Sequence, residues 1–271
     1  MQGEFVKISD EEFVREATDI VNKARERGII MRIHGALAVY LHSRDLPDMM
    51  KLYGEMQRFG EGKPKFTDLD LMAYSAQRNV VKGFFEKVIG FKPDIMVNTL
   101  FGYKRLTYYH PQNYYHVDVF FDKLEFSHDV VFGSKPGSGR LELDYPTISL
   151  SDIVLTKVQI HQINLKDIVD LVILFAGHDV DTEFGRRVAS ILSEDWGFWY
   201  DATNNLNKVK KHAKAFHDNS KLSKKQYELT VSRIDKLLKI IDETPKTKNW
   251  QKRAKIGTSK PWYREVEEVA R

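Results

Sequence analysis

The sequence contains no cysteine. Disulfides, thiolate zinc sites and cysteine nucleophiles are thereby excluded, and a reducing cytoplasm is the expected compartment. No stretch approaches the roughly 18 consecutive apolar residues that a membrane-spanning helix needs, so no membrane partner is expected. Met1-Gln2-Gly3-Glu4 carry no basic segment leading into an apolar one, so a secretory signal is not expected there. Internal repeats and low-complexity segments are missing as well. None of the nine histidines falls in a His-x-x-x-His or His-Glu-x-x-His arrangement that would hold zinc on one helix face. Without a Gly-x-Gly-x-x-Gly or phosphate-loop lysine motif, dinucleotide binding and ordinary P-loop chemistry are disfavoured. The absence of a Gly-x-Ser-x-Gly elbow argues against a serine hydrolase.

What is present describes a soluble globular protein of one large domain or two modest ones: 271 residues, 42% hydrophobic and 30% charged. The net charge of +4 is unevenly spread. Residues 205–271 hold 18 Lys and Arg against 8 Asp and Glu, a net +10, which leaves −6 on residues 1–204. A basic tail on a mildly acidic body fits a nucleic-acid footprint, and equally a solvated lysine-rich helix pair.

Residues 10–27 have the apolar stripe of an amphipathic helix, with Asp10 as N-cap and Gly28 as stop. Residues 28–34 form a short strand, Gly35 a turn, and residues 36–42 a helix. Residues 43–65 are polar and turn-rich and are expected to loop out around one short helix near residues 49–59. Ser75 caps a helix to about Val88, which Gly90 ends. Strands are predicted near residues 95–100, 105–109, 115–121 and 141–143, with a hairpin-like loop at residues 135–139. From Ser151 the pattern turns helical: 151–161, 164 or 165 to 176, 183–193, 200–216, 224–242 and, after Pro261, 262–270. The change near residue 150 predicts an α+β domain over 1–150 and a helical domain with the basic tail over 151–271. The aromatic cluster at 195–200 could stack a base; an aromatic core between two helices accounts for it as well.

Within Phe66-Thr67-Asp68-Leu69-Asp70-Leu71-Met72-Ala73, the period-two alternation of a strand sets Asp68, Asp70 and Met72 on one face and Leu69 and Leu71 on the other. Two carboxylates on one face repel each other unless they are solvated or gathered around a cation such as Mg²⁺ or Mn²⁺, which prefers oxygen ligands. A second strand, Tyr115-His116-Val117-Asp118-Val119-Phe120-Phe121, offers a third acid. The strand–glycine–helix turn at His34-Gly35-Ala36 could present backbone N–H groups to an anion. A bland half-exposed strand and a tight turn that needs a glycine explain the same residues. His34 and His116 flank this region, either positioning substrate or serving as structural histidines.

In this order the pieces resemble the nucleotidyltransferase fold of the DNA polymerase β superfamily: a glycine turn, an Asp-x-Asp strand and a third carboxylate on a neighbouring strand. Leu155-Thr156-Lys157 and Leu165-Lys166-Asp167-Ile168-Val169-Asp170-Leu171 are similar to the lysine helix and Asp-x-x-Asp helix of type IV abortive-infection toxins in that superfamily. The resemblance spans roughly residues 28–175. It implies an α+β fold, a nucleotidyltransferase-like mixed sheet flanked by helices, followed by the helical domain. It also implies transfer of a nucleoside monophosphate from an NTP, such as ATP, to a hydroxyl or phosphate acceptor. Asp68, Asp70 and Asp118 would hold two Mg²⁺ (or Mn²⁺) ions, and Gly35 and Ala36 would meet the phosphates through their backbone. Lys157 would neutralise triphosphate charge, unless it is a lysine snorkelling from its helix. Asp167 and Asp170 would orient that lysine, contact the nucleotide, or serve as a cap and a buried acceptor. An RNA or tRNA acceptor, a small-molecule acceptor and a cognate partner protein all stay open. Two departures stand out: Ala36 replaces the second glycine or serine of the turn, and the span from Gly35 to Asp68 is long. They admit the alternative of a catalytically inactive nucleotide- or RNA-binding module.

Overall fold

A computed structural model of the protein describes residues 6–56 and 65–266. In chain order these form helix α1 (Asp10–Arg25), strand β1 (Met31–Ile33), helices α2 (Gly35–Ser43) and α3 (Pro47–Glu55), strand β2 (Asp68–Ala73), helix α4 (Arg78–Gly83) and strand β3 (Lys92–Pro93). Helix α5 (Ile95–Phe101) and strands β4 (Arg105–Tyr109), β5 (His116–Phe121), β6 (Lys123–Glu125) and β7 (Asp129–Val131) follow. The remaining helices are α6 (Leu150–Val158), α7 (Leu165–Gly177), α8 (Thr182–Leu192), α9 (Trp196–Asp218), α10 (Lys224–Glu243) and α11 (Lys248–Ala254). The architecture is mixed α/β. Two compact units divide it: Met1–Leu41, Phe59–Leu124 and Val131–Ser149 form one, and His42–Arg58, Glu125–Val130 and Leu150–Arg271 the other, so far as those residues are described. The division is therefore not a single cut near residue 150, because α3 and the stretch 125–130 belong with the later helices.

The first unit is built on a five-stranded sheet in the order β1-β2-β5-β4-β3, where only β2 and β5 run parallel. One face is apolar throughout: Met31, Ile33, Leu69, Leu71, Val117, Val119 and Tyr108 are almost wholly buried. Helix α1 lays Phe13, Ala17, Ile20, Val21 and Ala24 into this core. Phe13 stacks on Phe66 at 5.3 Å and meets Tyr115 edge-on, and Phe85 stacks on Tyr108 at 4.5 Å. Ser9, not Asp10, caps α1: its hydroxyl accepts from the Glu12 amide, and Asp10 falls in the first turn, where its charge favours the helix dipole.

Several expected elements differ. The helix after Ser75 is broken into a 3-10 turn (Ser75–Gln77), α4 and a π turn (Phe84–Val88), with Gly90 ending it at φ +73°. Ser75 does not cap it with its side chain; its amide donates to Asp122 instead. Residues 95–100 are helical rather than extended. Asp94 accepts from the Val97 amide as N-cap, and the Asn98 amide group trades hydrogen bonds with Thr107 on β4, and these outweigh the strand preference of Ile95 and Val97. Residues 141–143 make a turn, because the Leu141 amide is taken by the Tyr74 hydroxyl, which itself donates to Glu142. Helix α3 opens at Pro47, earlier than expected, as proline suits a first helical turn; residues 57–64 lie outside the described residues.

In the second unit α6 and α7 are buried almost all round, and α8, α9 and α10 pack with them. Asn164 caps α7, Arg233 on α10 donates to the carbonyls of Phe175 and Ala176 at its end, and Asn205 donates to Val158 and Ile160 at the end of α6. Asp195 caps α9, so that helix starts four residues before Tyr200. Residues 261–266 are not helical, and 267–270 lie outside the described residues; α11 was not foreseen. The Trp262 indole donates to Asp201, whose carboxylate also binds His128 at 2.8 Å and His161 at 2.9 Å. Burial pushes the Asp201 carboxyl up, but these three hydrogen bonds together outweigh it and hold it below its ordinary value. Of the 195–200 aromatics, Trp196 and Phe198 are buried and Trp199 and Tyr200 half-buried, and Trp196 stacks on Tyr200 at 5.1 Å.

Burial, with the nearby His42 and Arg233 charges, pushes His178 in this unit down to about 4. A folded-state value below the ordinary 6.5 means that the unfolded chain binds the proton more readily. Stability is therefore expected to be full above pH 6.5 and to fall as pH drops from 6.5 toward 4. Urea unfolding across that range checks it: His178→Leu should flatten the slope.

Candidate functional site

The sheet register decides where the acids go. Asp68 lies opposite His116 and Asp70 opposite Asp118 across the parallel β2–β5 ladder, and Thr107 lies opposite Asp118 across β4–β5. Opposed residues project to the same face of a sheet, and alternate residues along a strand share it. Asp68, Asp70, Asp118, His116, Thr107 and Arg105 are consequently brought to one face. Leu69, Leu71, Val117, Val119, Leu106 and Tyr108 take the other, apolar one.

The Asp118 side chain is only 6% exposed. One oxygen accepts a short hydrogen bond from the Thr107 hydroxyl. The other stands 3.5 Å from the Arg105 guanidinium and 3.9 Å from His116 Nε2. The same imidazole nitrogen is 3.8 Å from Asp68 Oδ2, so carboxylates of two strands share one ring between them. Asp68 also accepts from the Thr67 hydroxyl at 2.8 Å. In kind, three carboxylates suit a hard divalent cation. As they stand, however, no group of three or more His, Asp or Glu side chains among the described residues is arranged as a metal shell. The Arg105 guanidinium and the His116 imidazole occupy the ground between the acids.

Gly35 begins α2 with φ +70°, in the region that favours glycine. A Cβ there would lie 2.9 Å from Asp70 Oδ2, and the His34 amide donates to the Asp70 carbonyl at 3.0 Å. The turn is thus pressed against the second acid of the strand, and glycine is favoured there by the left-handed φ as well as by the approach of that carboxylate. Ala36 follows with no hydroxyl to offer. His34 is buried, edge-on to Phe120 at 5.4 Å.

Lys157, Asp167 and Asp170 belong to the second unit. Lys157 Nζ donates to Asp167 at 2.6 Å and to Asp170 at 2.7 Å, with all three side chains largely or wholly buried. Lys157 does not snorkel, and Asp167 is not the helix cap, which is Asn164. The two acids are buried acceptors for the lysine.

Sequence reasoning missed Arg105 and Thr107. Their period-two spacing on a predicted strand was visible, but that this strand pairs beside Asp118 was not. A further feature was also unplaced by pattern alone: a cleft of about 960 Å³ in the second unit, bordered by Lys51, Lys221, Lys224, Lys225 and Arg233 and also by Asp48 and Glu55.

Gly35→Ala should cost about 1–2 kcal/mol in left-handed strain and displace the Asp70 carboxylate, read as a lower urea midpoint. Lys157→Met, removing the cation that Asp167 and Asp170 share, should cost about 3–5 kcal/mol by the same measurement.

Comparison with protein-family models, with curated proteins and with solved structures finds no match.

Proposed function

We propose that the protein is a metal-dependent nucleotidyltransferase that moves a nucleoside monophosphate from an NTP to a hydroxyl or phosphate acceptor, on a nucleotidyltransferase-like sheet followed by a helical domain. The observation that carries this reading is the β2–β5 register, with Asp70 opposite Asp118 and the Gly35 turn against Asp70. Asp68, Asp70 and Asp118 are the residues that would hold Mg²⁺ or Mn²⁺. Two such ions, when bound, activate the acceptor oxygen and stabilise the attacking and leaving oxygens of an in-line displacement. The acceptor oxygen forms its bond to the α-phosphorus as the bond to the bridging oxygen breaks and pyrophosphate departs.

The chain's own residues set the conditions for that step. Gly35 keeps the turn clear of a side chain where α2 begins, and backbone N–H groups at a helix start favour phosphate. Lys157 is spent on Asp167 and Asp170, so a triphosphate contact from it would cost one of those two bonds. The net +10 of residues 205–271 and the lysine-bordered cleft in the second unit favour a polyanionic acceptor, an RNA such as tRNA, over a small molecule. This is compatible with a toxin-like role and a cognate partner protein. A second reading, a silent nucleotide- or RNA-binding module, is favoured by Ala36 and by the His116 ring between Asp68 and Asp118.

Incubation with labelled NTPs, Mg²⁺ or Mn²⁺ and either RNA or small-molecule acceptors distinguishes the two. Label should pass to RNA with the wild type and fall to background with Asp70→Asn. Retained NTP binding without any transfer by the wild type would establish the silent module instead.

A further inference from the structure

Most buried or half-buried arginines here have spent their donors. Arg32 donates to the carbonyls of Asp144 and Met31, Arg78 to those of Gly102 and Tyr103, Arg233 to Phe175 and Ala176, and Arg253 to Gly257, Lys260 and Pro261. Each closes a helix end or fastens a loop. Arg105 is different. Its side chain is 17% exposed, its guanidinium lies 3.5 Å from Asp118 Oδ2 and 5.9 Å from the centre of the Phe120 ring, and it donates no hydrogen bond to any described residue.

A guanidinium carries five N–H donors in a planar fork that matches the oxygens of a phosphate. No Arg105 nitrogen is among the buried side-chain atoms that lack a partner, so the donors it does not spend on protein stay within reach of solvent, or of a ligand that takes the solvent's place. The Asp118 ion pair takes care of the charge and leaves the donors open. They lie beside Asp118, on the sheet face that also carries Asp68 and Asp70, where the triphosphate would be received.

We propose that Arg105 is a triphosphate-binding residue that, in the ligand-free protein, stands in for the metal at Asp118. This rests on the nucleotidyltransferase reading. With nucleotide present, the guanidinium turns its fork to phosphate oxygens and releases Asp118 to the divalent cation. Without nucleotide, a cation entering alone must displace the guanidinium, which then has no anion to go to. The residue thus discourages metal from binding ahead of the nucleotide.

Two separate titrations test this, each on the full chain: Mn²⁺ alone followed by electron paramagnetic resonance, and a non-hydrolysable NTP analogue alone in EDTA followed by calorimetry. Arg105→Gln should bind Mn²⁺ about tenfold more tightly than wild type, because a positive charge next to the ligand set is gone. The same variant should bind the analogue about tenfold more weakly, because a charge-assisted fork is lost. Arg105→Lys keeps the charge without the fork. It should leave Mn²⁺ affinity near the wild-type value, weaken the analogue several-fold, and serve where Arg105→Gln does not fold. An arginine with a merely structural role would weaken both ligands or neither, and either pattern overturns the proposal. Asp70→Asn and Asp118→Asn separate its failure from that of the reading beneath it. If they abolish Mn²⁺ binding while Arg105 variants change nothing, only the role of Arg105 is wrong. If they leave Mn²⁺ binding intact, the acids are not a metal site, and both the nucleotidyltransferase reading and the stand-in role fall.

Discussion

The parallel pairing of β2 with β5 is the constraint on which the candidate site depends. Because side chains alternate along both strands, one register places Leu69, Leu71, Val117 and Val119 together in the core, and the same register places Asp70 beside Asp118. A slip of one residue would drive a carboxylate into the apolar core, at a cost no surface interaction could offset. The hydrophobic core and the acidic cluster are therefore two consequences of one alignment. Burial on one face fixes the geometry of charge on the other.

Charge concentrated that way has to be compensated. At Asp118 the compensation comes from Thr107, Arg105 and His116. In the second unit Lys157 meets Asp167 and Asp170 with short, direct hydrogen bonds and little exposure to water. The two clusters solve the same electrostatic problem differently. The Lys157 triad is closed, with its cation engaged at 2.6 and 2.7 Å, as suits a cluster that holds helices together. The Asp118 cluster is looser, with ion-pair distances of 3.5 Å and beyond and a guanidinium whose donors are unspent. Looseness of that kind leaves room for an exchange of partners, which is what ligand binding at a carboxylate site requires.

Much of the architecture was legible because it rests on local chemistry. The stripe Phe13, Ala17, Ile20, Val21, Ala24 reads directly as the buried face of α1. Asn164 before α7 is a local signal of a helix start. The apolar–acid alternation at residues 68–73 predicts strand β2, which the structure bears out. Where expectation failed, side-chain hydrogen bonds had overridden the strand or helix preference of the segment. Residues 95–100 look extended, but Asp94 and the Asn98–Thr107 pair wind them into helix; residues 141–143 look extended, but the Tyr74 hydroxyl takes the Leu141 amide. The segment after Pro261 looks helical, but the Trp262 indole is held by Asp201.

For the site, the sequence by itself determined the chemical types: which residues are acids, which strand positions share a face, and where a glycine permits a left-handed turn. Strand periodicity and the side-chain freedom of glycine are properties of neighbouring residues and need no fold to be read. Only the tertiary structure decided which strands lie side by side, and hence that Asp118 meets Asp70, that His116 stands between Asp68 and Asp118, and that Arg105 is the cation beside them. Pairing between strands is settled by burial of whole faces across distant parts of the chain, a quantity that no local window of residues contains.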